Sequence, residues 1–367
     1  MKKIKKLFQF YYKNFIKILF YIIYGKIYYE PNKKIKDIKI ERVNTKIYNQ
    51  KKYFIYSIEN GSLYTDNVQN VAAISNNLIF APASFQHGNN RIISPTKNIV
   101  LQKGTPNIRK KFAGSVLSLV QGASGENYFH WLFDILPRIK IFSNNIPFNL
   151  SLQKIDFFYL PPLKPSQIDS LKLLGISKKK IINSKIYKHI KADKIIFISH
   201  PWYTKGKFHD QSFSIPSWII KWIRLFFIKN KKQFKSSKKI LIDRSESIFK
   251  HCQIINKKEV YSFLIKNGFK LYKIGEYNFV KQIFMFWNAQ CIIGAHGAAF
   301  SNLIFCKPKT KIIELKPFGH PGENYKNISK INRLNYICIN SKKEYLNNKD
   351  GDIYVDLNIL KKKLNYK

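Results

Sequence analysis

Arginine is scarce in this chain: only seven of its 65 basic residues are Arg, set against 21 acidic residues and a formal net charge of +44. The excess is Lys, and it comes with abundant Ile, Asn, Phe and Tyr, the residues of A/T-rich codons. That composition reads as charge spread over solvated surface, not as a specific nucleic-acid site. What survives is a general attraction to anionic membranes and to phosphate-bearing ligands. Cysteine is scarce as well. The four cysteines show no paired spacing, and Cys291 and Cys338 sit in apolar strand-like runs. Buried thiols in a reducing compartment fit this, and neither disulfides nor zinc are implied. The eight histidines are scattered without H-E-x-x-H spacing, so no metal site is expected. A serine hydrolase is disfavoured by the lack of a G-x-S-x-G elbow. A nucleotide-sugar epimerase or dehydrogenase would need G-x-G-x-x-G and Tyr-x-x-x-Lys in context, a combination that is missing. There is no internal repeat.

An unbroken apolar span of about 20 residues is also missing. Residues 7–29 are rich in Phe, Tyr, Ile and Leu, but Lys13 and Lys17 interrupt them, and no small-residue cleavage site follows. The expectation for 1–34 is a basic, aromatic helix lying in a membrane interface, on the cytoplasmic face, neither spanning nor cleaved. A helix packed on the domain is the alternative.

At 367 residues the chain has length enough for two domains. Short strands and loops are expected over 35–99, among them 46–49, 51–59 and 77–85. A helix starts near Asn127, and the stretch 201–217, with Pro, Gly, His and Lys but no apolar periodicity, reads as a linker. The second half alternates regularly: strands at 239–243, 270–273, 291–294 and 311–315, with helices at 257–267, 279–288 and 298–305 between them. Such alternation implies a doubly wound parallel sheet. Domains are expected over 35–205 and 206–345, with a tail over 346–367.

Three segments carry candidate chemistry. In Cys291–Asn302 an apolar strand ends at Gly294, a turn carries His296 and Gly297, and a helix is expected to start at Ala298. A turn of this kind offers backbone N–H groups and a positive dipole end to an anion. The strand after it ends in Glu314, a carboxylate placed to accept hydrogen bonds from ribose hydroxyls. An ordinary strand–helix turn whose glycines only fit the bend is the plainer reading. In the second segment, Asn127–Arg138, a helix would place His130, Asp134 and Arg138 on one face, and Pro137 should kink it. His130 and Asp134 fit a general base and its orienting partner, or a surface pair. In the third, Arg244 follows the strand 239–243, where open parallel sheets bind ligands, and a guanidinium there can grip a diphosphate.

Taken in order, NYFHWLFDILPRI, ILIDRSES and FVKQIFMFWNAQCIIGAHGAAFSNLIFCKPKTKIIELKP resemble glycosyltransferase family 61 over roughly 115–339. The resemblance implies a GT-B-like α/β fold of two facing Rossmann-like domains with parallel sheets. It also implies inverting, metal-independent transfer from a nucleotide sugar to a glycan or lipid-linked acceptor, in capsular or lipopolysaccharide-type biosynthesis, with no cofactor beyond the donor. Asp134 would take the acceptor proton, oriented by His130, with the converse assignment open. Arg244, Gly294, His296, Gly297, Ala298, Asn302 and Glu314 would bind the donor, with Asn127 and Arg138 as further candidates. Three departures stand out: Lys250 and His251 precede Asn256 at a longer spacing, Phe300 replaces Leu, and Asp134 replaces a frequent Glu. A non-catalytic basic protein associated with membrane or nucleic acid is the rival reading. It explains the charge but not the placement of Arg244, His296 and Glu314.

Overall fold

The computed structural model describes residues 2–31, 35–43, 52–67, 70–88, 91–120, 127–143, 148–203, 206–207, 211, 215–245, 251–344 and 351–365. The strand expected over 46–49, the glycines Gly122 and Gly125, Lys250 and much of the 201–217 linker lie outside them. The chain divides into two compact units, one made of 1–163 with 174–208, the other of 164–173 with 209–367.

The first unit is built on a nine-stranded sheet. The strands Lys110–Ser118, Phe157–Leu160, Ile181–Asn183 and His189–Ile198 run parallel. His189–Ile198 is then antiparallel to both Phe54–Glu59 and Ser62–Asn67, and the sheet continues antiparallel through Asn70–Ser75 to Leu78–Ile79. This corrects the expectation of a wholly parallel sheet here. The reason is local. Asn76 and Asn77 both take positive φ, 46° and 60°, which makes a two-residue hairpin turn. A turn that short can join only antiparallel strands, since parallel neighbours need a crossover of about a dozen residues. Leu63, Val116, Tyr159, Ile190 and Phe197 lie in the core beneath this sheet.

The helix after Asn127 is not uniform. It is α over Tyr128–His130, π over Trp131–Ile135 and α again over Leu136–Phe142. The Leu136 N–H reaches back to the Trp131 carbonyl, so a wide turn directly precedes Pro137, whose ring removes the next donor. The expected kink takes this form. Every residue from Trp131 to Ile139 is buried.

The second unit has a five-stranded sheet, parallel throughout. Its first strand, Lys239–Ile242, lies between the second, Lys270–Tyr272, and the third, Cys291–Ala295, followed by Lys311–Lys316 and Asn335–Asn340. Cys291–Ala295 is buried at every position, as the continuous apolar run of a two-face-covered parallel strand requires. The helices Lys257–Lys266, Phe279–Asn288 and Asn324–Ile331 make crossovers. Asn278 caps the second of these, its Oδ1 accepting from the Lys281 N–H at 2.9 Å. The segment Ala298–Phe305, expected as an α-helix, is a 3₁₀-helix. From Phe300 to Cys306 it is buried on all sides, so tertiary packing and not a solvent face sets its winding. The stretch expected as a tail is partly core, since Ile353, Val355 and Leu360 are buried with Leu241 and Ile293.

Phe286 lies fully buried in the Phe279–Asn288 helix. Phe286→Ala should therefore cost about 3–5 kcal/mol of stability, read as a lower urea midpoint. A change below about 1 kcal/mol would show that this helix does not carry the unit's core.

Candidate functional site

In the first unit the π turn brings Asp134 under a set of donors. The carboxylate is fully buried. Its Oδ2 lies 2.8 Å from His130 Nδ1 and 3.5 Å from His200 Nε2. Trp202 Nε1–H donates to Oδ1 at 2.7 Å. Burial alone would raise the Asp134 carboxyl, but the electrostatic pull of His130 and His200 and their hydrogen bonds hold it well below the usual carboxylate range. An ionised carboxylate only accepts, so His130 Nδ1 must carry a proton and donate it. In the neutral ring the basic nitrogen is then Nε2, on a side chain that is 19% exposed. The tautomer of His200 is set from its other side. Its Nδ1 accepts the backbone N–H groups of Trp202 and Tyr203 at 3.3 and 2.9 Å, which turns an Nε2–H toward Asp134.

These contacts bear on which of the two side chains could face an acceptor. Asp134 has no exposed face to present to an acceptor, whereas His130 has one. Arg138 is also buried and not on a polar surface. Its Nη1 donates to the Leu119 carbonyl at 3.5 Å, and Nε and Nη2 have no partner among the described residues. Burial lowers the guanidinium to about 10 against the pull of Asp134, which leaves it charged at neutral pH beside that carboxylate. Asn127 serves as a cap, its Oδ1 accepting from the Phe129 N–H at 2.9 Å. His200 and Trp202 went unnoticed in the sequence. The signal was there, a His and a Trp just past the end of the strand His189–Ile198.

In the second unit the cluster sits where the strand order reverses, at the carboxyl ends of Lys239–Ile242 and Cys291–Ala295. Open parallel sheets bind ligands at this switch point. Arg244 Nη1 donates to the His296 carbonyl. A Cβ on Gly297 would lie 2.7 Å from Arg244 Cζ and Nε, and one on Gly294 would lie 2.8 Å from Ile242 Cβ. Both glycines are therefore needed for close approach. The preceding Asp243 carboxylate accepts from Ser245 Oγ at 2.8 Å and Lys257 Nζ at 3.1 Å.

His296 Nδ1 meets Glu314 Oε1 at 2.5 Å. The Tyr336 hydroxyl donates to Oε2, and burial followed by the Glu314 charge holds that phenol above its ordinary range. Glu314 is 1% exposed, with one oxygen engaged by His296 and the other by Tyr336. Asn302 is fully buried, its amide donating to Gln282 Oε1 at 3.0 Å and the Ala299 carbonyl at 3.3 Å; it pins the 3₁₀-helix. Arg244, His296, Gly294, Gly297 and Ala298 thus come together, while Asn302 and Glu314 stand behind them. The sequence reading also missed His320. Its ring lies against His296, tilted by 46° at 4.0 Å between centroids, and its Nδ1 accepts the Gly322 N–H at 3.1 Å. No group of three or more metal-ligating side chains occurs among the described residues.

Gly297 has φ 164°, extended backbone that any residue adopts, so Gly297→Ala should fold normally. Its methyl would nevertheless displace Arg244. Nucleoside diphosphate affinity should fall about tenfold or more in calorimetry, with little change in melting temperature. Unchanged affinity would remove Arg244 from the anion cradle.

The sequence model of the family Glycosyltransferase 61 matches residues 128–313, half of the chain. The match opens just after Asn127 and closes just before Glu314, and so takes in His130, Asp134, His200, Arg244 and His296. No curated protein matches the sequence.

Proposed function

We propose that this chain, which belongs to glycosyltransferase family 61, moves a sugar from a nucleotide-sugar donor to a hydroxyl of a glycan or lipid-linked acceptor. The transfer inverts the anomeric carbon and serves the assembly of a surface polysaccharide. In this reading the two units are the acceptor and donor halves of a GT-B enzyme. The observation that carries it is the partly exposed His130, with its Nδ1 proton held by a buried, ionised Asp134. That arrangement leaves Nε2 free to accept a proton, which is what a general base needs.

The step balances as a single displacement. The acceptor oxygen forms a bond to the anomeric carbon while its proton passes to His130 Nε2. The bond from that carbon to the diphosphate oxygen breaks, and the diphosphate leaves with the electron pair. Asp134 stabilises the resulting imidazolium through Nδ1–H. Charge growing on the leaving group is met by the Arg244 guanidinium and the His296 side chain. Retention by double displacement would need a carboxylate against the sugar, and Asp134 is fully buried.

Two measurements test the assignment. Uridine or guanosine diphosphate should raise the melting temperature at moderate salt, and one of a panel of nucleotide sugars should be hydrolysed. Equal stabilisation by any polyanion would instead describe a nonspecific basic protein. Because protein cations supply the charge in this reading, turnover should persist in excess EDTA. A loss restored by Mg²⁺ would assign that charge to a metal.

A further inference from the structure

The helix Lys2–Tyr24 is fixed to its unit by its last turn. Phe20 is buried against Gly104, where an added Cβ would lie 2.8 Å from the ring. The Tyr24 hydroxyl accepts the Arg109 N–H at 2.7 Å, and the Arg109 guanidinium lies 4.9 Å from the Tyr24 ring centre. Asn77 Nδ2 adds a bond to the Tyr24 carbonyl at 3.2 Å. These contacts set the rotation of the helix about its own axis. Toward the N-terminus, every residue from Lys3 to Phe15 is exposed.

What the helix exposes is apolar. Ile4, Leu7, Tyr11, Phe15, Ile18 and Ile22 follow at helical spacing, form one stripe across the helix from Phe20, and are all more than half exposed. Lys5, Lys6, Lys13 and Lys17 lie on the far side from that stripe, with Lys3 at its flank. The first 29 residues hold seven lysines and no Asp or Glu. A stripe along a helix about 34 Å long is more apolar surface than a soluble monomer leaves in water.

We infer that this face docks on an anionic lipid surface, with the stripe in the acyl boundary and the lysines reaching to the headgroups. Three considerations select that occupant. An apolar face backed by lysines and no acidic residue complements anionic headgroups, and the long lysine stems can carry their charges toward them. No helix among the described residues is long and apolar enough to cross a membrane, and a helix lying along a surface buries a one-sided stripe without crossing. A second copy would cover the stripe but bring no acidic residue to the seven lysines, whereas an anionic surface supplies their counter-charge. The inference does not depend on the transferase reading.

The experiment uses the full-length protein with vesicles of phosphatidylcholine, with and without phosphatidylglycerol, in co-sedimentation. Wild type should bind the anionic vesicles at least about tenfold more tightly than the neutral ones, and high salt should weaken that binding. A triple variant, Leu7→Ser, Phe15→Ser and Ile22→Ser, should lose about tenfold or more of the affinity. Lys5→Glu with Lys13→Glu should remove the preference for phosphatidylglycerol. All of these positions are exposed, so melting temperature and nucleoside diphosphate binding should hold in each variant. Undiminished vesicle binding by the triple variant would overturn the inference. So would a wild type that ignores vesicles but sediments as a dimer which the triple variant splits, since the face would then join two copies.

Discussion

His130→Ala is expected to lower kcat by about 10²–10⁴-fold, roughly 3–5.5 kcal/mol of barrier, while nucleoside diphosphate affinity stays as in wild type. The argument starts from Asp134, fully buried and ringed by His130, His200 and Trp202. A carboxylate held that way stays ionised and forces its neighbour's proton onto Nδ1. The only group of the cluster that can meet an acceptor hydroxyl is then His130 Nε2. His130→Gln should be as inactive as the alanine variant, since an amide nitrogen is no base. Steady-state kinetics with titrated donor decides the point. Activity within about tenfold of wild type would leave less than 1.4 kcal/mol for the proton transfer and would move the base elsewhere.

Arg244→Ala should weaken nucleoside diphosphate binding by about 1.5–3 kcal/mol, the worth of a charge-assisted contact. Binding of the nucleoside alone should hardly change. The guanidinium sits at the switch point of the parallel sheet, against a glycine that leaves it room. No base or ribose contact is assigned to it, so its loss should fall on the phosphates. Calorimetry with uridine and UDP, or guanosine and GDP, separates the two contributions. Equal losses for nucleoside and diphosphate would place Arg244 away from the phosphates.

The second unit was legible in the sequence because each of its layers repeats one simple signal. Apolar runs such as Cys291–Ala295 can only be covered parallel strands, and the periodic Phe279, Ile283 and Phe286 mark the helix between two of them. His130 and Asp134 were legible as a pair at helical spacing. Which of the two is buried was not, because the groups that cover Asp134, Trp202 and His200, lie far along the chain. The burial of Glu314 was hidden for the same reason: its partner Tyr336 lies on the neighbouring strand, which a reading along the chain does not bring to it. The mixed sheet of the first unit had a visible cue in Asn76-Asn77, whose paired positive φ values only a hairpin turn explains. The π turn before Pro137 had none beyond the proline itself.

The central claim is a single displacement with His130 as base, and the configuration of the product tests it most directly. Once a donor is found, the anomeric proton coupling of the new glycosidic linkage can be read by NMR on the isolated product. Inversion relative to the donor is predicted, because one base and one displacement can give nothing else. Retained configuration would contradict the account, since it would demand a nucleophile that a buried, hydrogen-bonded Asp134 cannot be.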